Sequence, residues 1–430
     1  GDISAEIYDH PSADLTILGV TGTSGKTTTS YLLEAGLLAA GYQVGLIGTT
    51  GTRINRTPVP TSLTTPEAPK LQELFAQMRD QGVTHVVMEV SSHALALGRV
   101  KGTRFAVGGF TNLSQDHLDF HPTMEDYFLT KARLFTGPEA AAAAVICVDD
   151  SWGQRLVELS RAAGTPTAEV ATAEQAVTTN AGKVISAHPT AVEPTGEQHG
   201  VLSLEGKDYE FTVPLPGKFN VANAALAAGL AAAAEVNVEA FLEGVAGVAV
   251  PGRMQRVDCG QDFVAVVDYA HKPAAVAAVL DTLREQIRTS EHPEGRIGIV
   301  IGAGGDRDSS KRPLMGQAAA SRADYVAVTD DNPRTEDPAP IRAAVLAGAK
   351  EAAAERDDEV TLAEYASRAA AIDAAIQWAE PGDAIIVVGK GHEVGQIVGD
   401  AVHHFDDREE VQRALETKTS GTTPAGKEEA

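Results

Sequence analysis

The segment that decides the fold is Leu15-Thr-Ile-Leu-Gly-Val-Thr-Gly-Thr-Ser-Gly-Lys-Thr-Thr-Thr29, an apolar strand followed by a glycine-rich loop and a helix start. In such a loop, successive backbone N–H groups and the helix N-terminus surround phosphate oxygens. Lys26 would reach the β- and γ-phosphates of a nucleotide, and the Thr27 hydroxyl would ligate Mg²⁺. Val20 replaces the usual first glycine of the motif. The stretch still predicts a nucleotide site, formed by Gly22, Thr23, Ser24, Gly25, Lys26, Thr27 and Thr28.

Short apolar runs alternate with helical stretches after this loop, which is typical of strands that cross over through helices into a parallel sheet. In the first half of the chain the predicted strands are Leu15–Val20, Val44–Gly48, His85–Val90, Phe105–Phe110 and Ala144–Val148. Residues 151–210 are less regular and predict hairpins and loops that flank the sheet. An alanine-rich helix is expected over Asn220–Ala234.

A second series of strands and helices begins beyond Gly247–Gly252, which is the predicted boundary between domains. Its predicted strands are Val264–Asp268, Ile297–Ile301, Tyr325–Thr329 and Ala384–Val388. We therefore predict an α/β chain with a central P-loop domain over residues 1–249, built on a mostly parallel sheet. A Rossmann-like C-terminal α/β domain follows over residues 250–430 and ends in a flexible tail from about residue 417.

The composition narrows the class of partner. The chain has 430 residues, and 35 Lys and Arg against 59 Asp and Glu give a net charge of −24. So acidic a surface disfavours nucleic acid and anionic membranes as partners. Two cysteines are too few for a disulfide framework or a structural zinc site, and no apolar run is long enough to cross a bilayer. We expect a monomeric cytoplasmic protein that acts on small molecules.

Acidic and imidazole side chains follow two of the predicted strands. Glu89 ends the strand before Ser91-Ser-His93, and strand ends at one edge of a parallel sheet share a crevice. An acid beside the loop would help to hold the metal of a magnesium nucleotide. After Phe110, a group of side chains suggests metal or phosphate chemistry: Asp116, His117, Asp119 and His121.

Seven motifs of this chain resemble those of the Mur ligases, in the same order, between about Leu15 and Phe405. They are Gly22-Thr-Ser-Gly-Lys-Thr-Thr28, Glu89-Val-Ser-Ser-His93, Asn112-Leu-Ser-Gln-Asp-His-Leu-Asp119, Pro216-Gly-Lys-Phe-Asn-Val-Ala-Asn223, Pro251-Gly-Arg253, Asp268-Tyr-Ala-His271 and Gly389-Lys-Gly-His-Glu393. Each is only suggestive, but seven in sequence are specific. The resemblance implies an ATP-dependent ligase that activates a carboxylate as an acyl phosphate, which an amine then converts into an amide.

Carried over by position, the resemblance gives roles to individual residues. Lys26 and Thr27 would hold ATP and Mg²⁺, and Glu89 and His117 would complete the metal coordination. Lys131 stands where the family has a carbamylated lysine, whose anionic oxygens suit Mg²⁺ as an ammonium does not. The remaining residues of the expected nucleotide site are Asn220, Arg253, Asp268 and His271, the last of which we also count as catalytic together with Lys26, Glu89, His117 and Lys131.

The resemblance also implies two substrates. The muramoyl-dipeptide nucleotide would be gripped by Thr64, Thr65, Ser91, Arg99 and Lys131. The motif Asp331-Asn-Pro-Arg334 resembles that of members that add meso-diaminopimelate, whereas lysine-adding members lack its arginine. The expected diaminopimelate site consists of Arg312, Asp331, Asn332, Pro333, Arg334, Gly389 and Glu393. The expected product is an amide of the D-glutamate γ-carboxylate in a peptidoglycan precursor.

Members of this kind carry an N-terminal domain that holds the uridine diphosphate, but only residues 1–14 precede the first predicted strand. We therefore expect a truncated chain that lacks that domain. Two alternative assignments are a lysine-adding ligase and a folylpolyglutamate synthase-like ligase. Arg334 argues against the first, and the motif Asp331-Asn-Pro-Arg334 argues against the second. A P-loop switch or kinase, which forms no amide, remains an alternative of a different class. A dinucleotide dehydrogenase is disfavoured because Gly302-Ala-Gly-Gly-Asp-Arg307 lacks the third fingerprint glycine.

Overall fold

The computed structural model describes residues 1–61, 63–173, 183–193 and 195–419. It divides into two units, of which the first is Gly1–Ala249 and the second begins at Val250. Both units are α/β, as predicted. Among the described residues, no helix combines the length and the apolar character that crossing a bilayer requires.

The first unit is built on an eleven-stranded sheet with the order β11-β10-β9-β8-β7-β6-β1-β5-β2-β3-β4. Neighbours from β9 to β2 pair in parallel, and the two ends of the sheet are antiparallel. The strands are β1 Thr16–Thr21, β2 Val44–Gly48, β3 Gly51–Ile54, β4 Thr57–Val59, β5 His85–Glu89, β6 Val107–Phe110, β7 Ala143–Cys147, β8 Thr167–Ala171, β9 Lys183–Val192, β10 Gln198–Leu204 and β11 Lys207–Val213.

Helices pack against this sheet, whose central strands are mostly apolar. Every residue of β2, β5 and β6 is buried, as parallel strands covered on both faces require. The helices of the unit are α1 Asp2–Ile7, α2 Lys26–Ala39, α3 Ala68–Asp80, α4 Ser92–Ala96, α5 Met124–Ala132, α6 Ser151–Ala162, α7 Lys218–Ala233 and α8 Val238–Val245.

The prediction for residues 151–210 was only partly right. The hairpins are present as β9, β10 and β11, but α6 and β8 extend the regular α/β pattern where loops were expected. Asp150 begins α6, because its side chain accepts a hydrogen bond from the Gly153 amide at 2.7 Å. Leu156 and Val157 bury one face of that helix. Segment 174–182 lies outside the described residues.

The second unit contains a six-stranded sheet with the order β12-β13-β17-β14-β15-β16. All its pairs are parallel except that of β12 with β13. The strands are β12 Gln255–Arg256, β13 Val264–Asp268, β14 Ile297–Ile301, β15 Tyr325–Thr329, β16 Thr361–Tyr365 and β17 Ala384–Val388, followed by a separate hairpin of β18 Gly395–Val398 and β19 Ala401–His404. The helices are α9 Pro273–Thr289, α10 Lys311–Ala320, α11 Pro338–Ala354, α12 Arg368–Trp378 and α13 Asp407–Thr419.

Two features of this unit were not predicted. Strand β16 is an edge strand without a fully buried residue, so its sequence lacks the apolar run that marked the other strands. We predicted a flexible tail from about residue 417, but residues 417–419 complete α13. Lys418 stabilises the last turn of α13 by donating a hydrogen bond to the carbonyl of Ile376 at 2.8 Å. Residues 420–430 lie outside the described part of the chain.

Among the residues that the structure describes, the most deeply buried ion pair joins the starts of α12 and α13. Arg368 donates to both carboxylate oxygens of Asp407 at 2.7 Å, and both side chains are fully buried. Arg368 also donates to the carbonyl of Val388, at the end of β17, at 2.9 Å. The pair therefore ties both helices to the end of the sheet where Gly389 follows.

Replacing Asp407 by alanine is expected to destabilise the second unit by about 3–5 kcal/mol, since an uncompensated guanidinium would remain buried. Asp373→Ala is the matched control, because Asp373 pairs with Arg413 between the same two helices but at the surface. That change should cost about 0–1 kcal/mol. The measurement is urea denaturation of Trp152→Phe variants, in which Trp378 alone reports on the second unit. Equal losses from both changes would contradict the assignment.

Candidate functional site

The glycine-rich loop follows β1 directly and leads into α2. Gly22 has φ +142°, and a Cβ placed there would lie 1.9 Å from Oγ1 of Thr111. Gly25 has φ +88°, and its Cβ would lie 2.4 Å from Oδ1 of Asn223. Both positions therefore require glycine, for backbone conformation and for space. The loop closes on the sheet, since Asn112 accepts from the Ser24 amide at 3.0 Å.

Lys26 and Thr27 occupy the first turn of α2, where the helix N-terminus favours negative charge. The ammonium of Lys26 donates to the carbonyl of Gly22 at 2.9 Å and to that of Thr23 at 3.1 Å. The hydroxyl of Thr27 donates to Oε1 of Glu89 at 3.0 Å. The structure thus brings the predicted phosphate-binding residues and the predicted acid together.

Glu89 ends β5, next to β1, and is 1% exposed. Thr49, which follows β2, donates to Oε1 of Glu89 through its amide and to Oε2 through its hydroxyl, both at 2.9 Å. Gly48 leaves room for this carboxylate, because a Cβ there would lie 2.5 Å from Oε1. Three neighbouring strands therefore place Thr27, Thr49 and Glu89 at one sheet edge.

The predicted histidines form a group beside this edge. His117 has φ +55° and lies 3.1 Å from Oδ2 of Asp116, and its ring is 4.9 Å from that of His93. His121 lies 2.8 Å from Asp126 through Nδ1, while its buried Nε2 has no hydrogen-bond partner among the described atoms. Burial lowers the pKa of His93, and His121 adds to the effect, which favours a neutral His93 ring near pH 7.

Lys131 is buried against the same loop. Its ammonium donates to the carbonyl of Gly22 at 2.9 Å and lies 4.5 Å from the centre of the Tyr127 ring. The Tyr127 hydroxyl is 3.2 Å from Oγ1 of Thr23, and burial raises the pKa of that phenol far above its usual range. Lys131 of α5 therefore lies buried against the nucleotide loop and not at the protein surface.

The oxygen donors at this edge fit a magnesium ion. Carboxylate and hydroxyl oxygens are its preferred protein ligands, and Glu89 and Thr27 supply one of each. No set of three or more His, Cys, Asp or Glu side chains in the described residues has metal-binding geometry. Magnesium in phosphate sites needs no such set, since phosphate and water fill most of its positions. An ammonium has no lone pair, so Lys131 fits such an ion only as a carbamate.

Besides Lys131, the other four residues predicted to hold the dipeptide substrate lie next to this group. Thr65 donates to the carbonyl of Glu89 at 2.8 Å and accepts from the amide of Ser91 at 3.2 Å. Arg99 donates to the carbonyl of Thr65 at 3.4 Å. The hydroxyl of Thr64 lies 3.2 Å from that of Thr49. The structure therefore brings these residues together around the end of β5.

Asn220 is linked to the glycine-rich loop through Asn223. Its side chain donates to the carbonyl of Pro216 at 2.8 Å and accepts from Asn223 at 3.1 Å. Asn223, in turn, lies against Gly25 and accepts a hydrogen bond from Thr29 at 3.4 Å. Asn223 thus contacts the loop, and Asn220 supports it from behind.

The other predicted nucleotide residues belong to the second unit and lie at the end of β13. Asp268 is buried and accepts from the amides of Met254 and Ala270, both at 2.7 Å. Burial raises its pKa, while the charge of Arg253 opposes that shift. Arg253 stacks on Tyr269, with its guanidinium carbon 4.3 Å from the ring centre. Arg253, Asp268 and His271 are therefore close neighbours.

His271 lies in the same group, with its ring 4.7 Å from that of Tyr269. Its Nδ1 is 2.8 Å from the carbonyl oxygen of Tyr269. A carbonyl can only accept, so Nδ1 carries the proton, and Nε2 is the acceptor of the neutral ring.

The residues predicted for diaminopimelate also assemble within the second unit. Asn332 donates to Oε2 of Glu393 at 2.9 Å, and Arg334 donates to the carbonyl of Gly305 at 2.8 Å. Gly389 has φ +117°, and a Cβ there would lie 2.9 Å from Oδ2 of Asp331. The other oxygen of Asp331, Oδ1, is buried and has no hydrogen-bond partner among the described atoms.

Arg312 and Pro333 flank this group. Arg312 pairs with both carboxylate oxygens of Glu336, at 2.8 and 3.0 Å. The carbonyl of Pro333 accepts from the amide of Glu336 at 3.1 Å and lies so close to Gly305 that a Cβ there would approach it to 1.9 Å. Glu336 thus joins the helix residue Arg312 to the Asp331–Arg334 loop.

The sequence analysis missed several residues of these groups. Asn112 and Asn223 contact the glycine-rich loop. Both lay within motifs quoted from the sequence, and that was the signal that could have identified them. Thr49 and Tyr127 had no such signal, since a threonine after a strand and a tyrosine in a helix are common. Tyr269 stood between two residues that had been chosen, Asp268 and His271.

Comparisons with known proteins agree with this geometry. Residues 20–231 match a family model described as Mur ligase middle domain, and residues 252–391 match one described as Mur ligase, glutamate ligase domain. The UDP-N-acetylmuramoyl-L-alanyl-D-glutamate--2,6-diaminopimelate ligase of Corynebacterium glutamicum is 59% identical, over 100% of this chain and 80% of that protein.

Solved structures are similar as well. A structure described as a UDP-N-acetylmuramoyl-L-alanyl-D-glutamate--2,6-diaminopimelate ligase is 34% identical, with a TM-score of 0.63 over 94% of this chain and 79% of the other. A bifunctional folylpolyglutamate synthase/dihydrofolate synthase from Yersinia pestis, complexed with AMPPNP and Mn, has a TM-score of 0.66 at 22% identity, over 91% and 90% of the two chains. At that identity the likeness concerns the fold alone.

Proposed function

The chain belongs to the Mur ligase family, and we propose that it uses ATP to join meso-diaminopimelate to the D-glutamate γ-carboxylate of UDP-N-acetylmuramoyl-L-alanyl-D-glutamate. It is a ligase of peptidoglycan precursor synthesis. The observation that carries the assignment is the position of Glu89, which binds Thr27 of the nucleotide loop through its side chain and Thr65 through its carbonyl. One strand end thus joins the phosphate site to the proposed dipeptide site.

The reaction has two steps. The γ-carboxylate of D-glutamate attacks the γ-phosphorus of ATP, the bond to the β-phosphate oxygen breaks, and ADP leaves. The amine of diaminopimelate then attacks the acyl carbon and loses a proton, and phosphate leaves with the electrons of the broken C–O bond. Both steps require the protein to handle negative charge, since the first brings one anion against another.

Three groups of the first unit supply that charge stabilisation. Lys26 places an ammonium, and the first turn of α2 places amide N–H groups, at the phosphate end of the loop. Thr27 and Glu89, together with His117 and a carbamylated Lys131, would hold a Mg²⁺ ion, whose charge would neutralise phosphate oxygens. Thr64, Thr65, Ser91 and Arg99 hold the dipeptide carboxylate in line with the γ-phosphate. Such positioning supplies much of the rate of phosphoryl transfer.

The second unit holds the amine substrate and further nucleotide groups. Arg334 pairs with the distal carboxylate of diaminopimelate, and Asp331 and Glu393 accept from its distal ammonium. The orphaned Oδ1 of Asp331 supports this proposal, because a buried carboxylate oxygen requires a donor. Arg253, Asp268 and His271 are the residues of this unit that we propose for nucleotide binding.

The test is phosphate release by this chain with the muramoyl-dipeptide nucleotide, ATP and a panel of amino acids. Release that depends on diaminopimelate, with matching product by mass spectrometry, is the expected result. Phosphate release without any amino-acid dependence would instead identify a nucleotide switch or hydrolase. A preference for lysine would identify the lysine-adding ligase, and a folate-dependent reaction would identify the folylpolyglutamate type.

We also propose that the enzyme acts as a cytoplasmic monomer.

We further propose that Lys131 acts as a carbamate. The side chain is 1% exposed and lies against Gly22, so an uncarbamylated ammonium would face the same metal that it cannot ligate. The CO₂ adduct converts this positive group into an anion with two oxygens beside the nucleotide loop.

Lys131→Ala is expected to lower turnover strongly and to regain part of it when a short-chain carboxylate such as acetate is added. The carboxylate would supply the missing anionic oxygens in the space that the side chain vacates. The measurement is turnover against acetate concentration at constant ionic strength, with chloride as the control salt. A Lys131→Ala enzyme with undiminished activity would leave Lys131 an ordinary lysine, and equal rescue by chloride would exclude the carbamate.

A further inference from the structure

Arg334 has a backbone conformation that its side chain disfavours. Its φ is +54°, in the left-handed region, where the Cβ of any residue except glycine crowds its own backbone. Such a residue keeps that conformation only where its surroundings fix it.

The hairpin formed by β18 and β19 holds the backbone of Arg334. The Arg334 amide donates to the carbonyl of Ile397 at 3.0 Å, and the Gly399 amide donates to the carbonyl of Arg334 at 2.6 Å. The strained residue is thus held at both its N–H and its C=O. Its single bridge to Val398 is parallel, so the loop adds itself to the outer edge of β18.

Two more hydrogen bonds from β18 hold the residues that precede Arg334. The amide of Ile397 donates to Oδ1 of Asn332 at 2.9 Å, and the side chain of Gln396 donates to the carbonyl of Asp331 at 2.8 Å. The fully buried ammonium of Lys390 closes the network, since it donates to Oδ1 of Asn332 at 3.3 Å and to the carbonyl of Gly395 at 2.5 Å.

The amide and carbonyl of Ile397 are available to the loop because of the register of the hairpin. Val398 pairs with Ala401 next to the turn, and Ile397 stands opposite Val402. In an antiparallel pair, alternate residues direct both backbone groups away from the partner strand. Ile397 is such a residue, so it can bind Asn332 and Arg334 without breaking a hydrogen bond of the hairpin.

We propose that β18 is a positioning element for amino-acid selection, in which Ile397 and Gln396 hold the Asp331–Arg334 loop so that Arg334 meets the distal carboxylate of the substrate. The proposal rests on the diaminopimelate specificity given above. Neither residue touches the amino acid. Their effect is on the loop, whose backbone conformation they determine.

The sharpest test is a pair of proline substitutions in this chain. Ile397→Pro removes the N–H that binds Asn332, whereas Val402→Pro removes the N–H of the opposite residue, on the edge that faces away from the loop. Proline is tolerated at such outward edge positions. Gln396→Ala is a milder second variant, because it deletes only a side chain. His403→Ala, its exposed register partner, is the matched control.

Ile397→Pro and Gln396→Ala should each raise the KM for diaminopimelate about twofold to tenfold, as expected for one lost hydrogen bond. The KM for ATP and the low activity with lysine should stay unchanged, so that selectivity falls. Hydrogen exchange of the amides in segment 331–336 should be faster in both variants. Val402→Pro and His403→Ala should match the unmodified chain in every measurement.

Unchanged diaminopimelate KM and unchanged exchange in both loop-directed variants would overturn the proposal. So would equal effects on the KM for ATP, or the same effects from the two controls, because these would indicate only a general loss of structure. Failure of the specificity assignment is distinguishable, since the unmodified chain would then show no preference for diaminopimelate. In that case the exchange measurement alone decides whether β18 holds the loop.

Discussion

Lys26→Met is expected to lower amide-forming turnover by about 10²–10³-fold, the usual loss when one preorganised charge-stabilising donor is removed. Methionine keeps most of the length and the apolar stem of lysine but carries no charge. The lost ammonium would otherwise neutralise β- and γ-phosphate oxygens while the carboxylate attacks. The fold should survive, because Lys26 donates to the loop carbonyls of Gly22 and Thr23 and is not part of the apolar core.

The measurement for Lys26→Met is steady-state phosphate release together with the dissociation constant of ATP. Lys350→Met is the control, since Lys350 is an exposed residue of α11 and its loss should leave turnover unchanged. Circular dichroism establishes that both variants fold. Near-normal product formation by Lys26→Met would refute the assignment of residues 22–28 as the phosphate-binding loop.

Arg334→Ala is expected to reduce kcat/KM for diaminopimelate about tenfold to a hundredfold and to change residual lysine use much less. A lost charge-assisted hydrogen bond costs about 1.5–3 kcal/mol, which gives that range. Diaminopimelate ends in a carboxylate and an ammonium, so the guanidinium can form a bidentate pair with it. Lysine offers only an ammonium, which the guanidinium repels, and this repulsion is how the site rejects the competitor.

Arg307→Ala serves as the control for Arg334→Ala. Arg307 is an exposed cation in the loop after β14, one residue from the Asp306 that binds Thr335. Its loss changes the local charge by the same amount without removing the proposed partner. Parallel losses for diaminopimelate and lysine in Arg334→Ala would show that Arg334 supports structure only. Equal use of both amino acids by the unmodified enzyme would refute the specificity, although the ligase assignment would remain.

The sequence was informative wherever chemistry and periodicity coincided. Glycine positions around Gly22 and Gly25, a lysine at a helix start and an acid at a strand end predicted contacts that the structure contains. Buried parallel strands such as β2 were predicted because both of their faces are apolar. These signals are local, so one sequence carries them.

Contacts between distant segments could not be predicted in the same way. Nothing near Asn332 indicates that Ile397 will bind it, and Thr49 meets Glu89 only because β2 and β5 become neighbours in the sheet. Strand β16 was not predicted, because the residues of an edge strand need not be apolar. Lysine carbamylation and metal coordination by His117 stay predictions, since they depend on groups that a chain of amino acids does not encode by itself.

Tyr269 contacts one residue of each of the two sites proposed in the second unit, the nucleotide site and the amino-acid site. Its ring carries the guanidinium of Arg253 on the proposed nucleotide side, while its hydroxyl donates to Glu393 of the proposed amino-acid site at 3.3 Å. A ligand that shifts one of these contacts also changes the free energy of the other. Thermodynamic linkage makes such coupling symmetric, so the factor by which nucleotide alters the affinity for amino acid equals the factor by which amino acid alters the affinity for nucleotide. One phenol side chain would thereby couple the two proposed sites of this unit by the same factor, whichever ligand binds first.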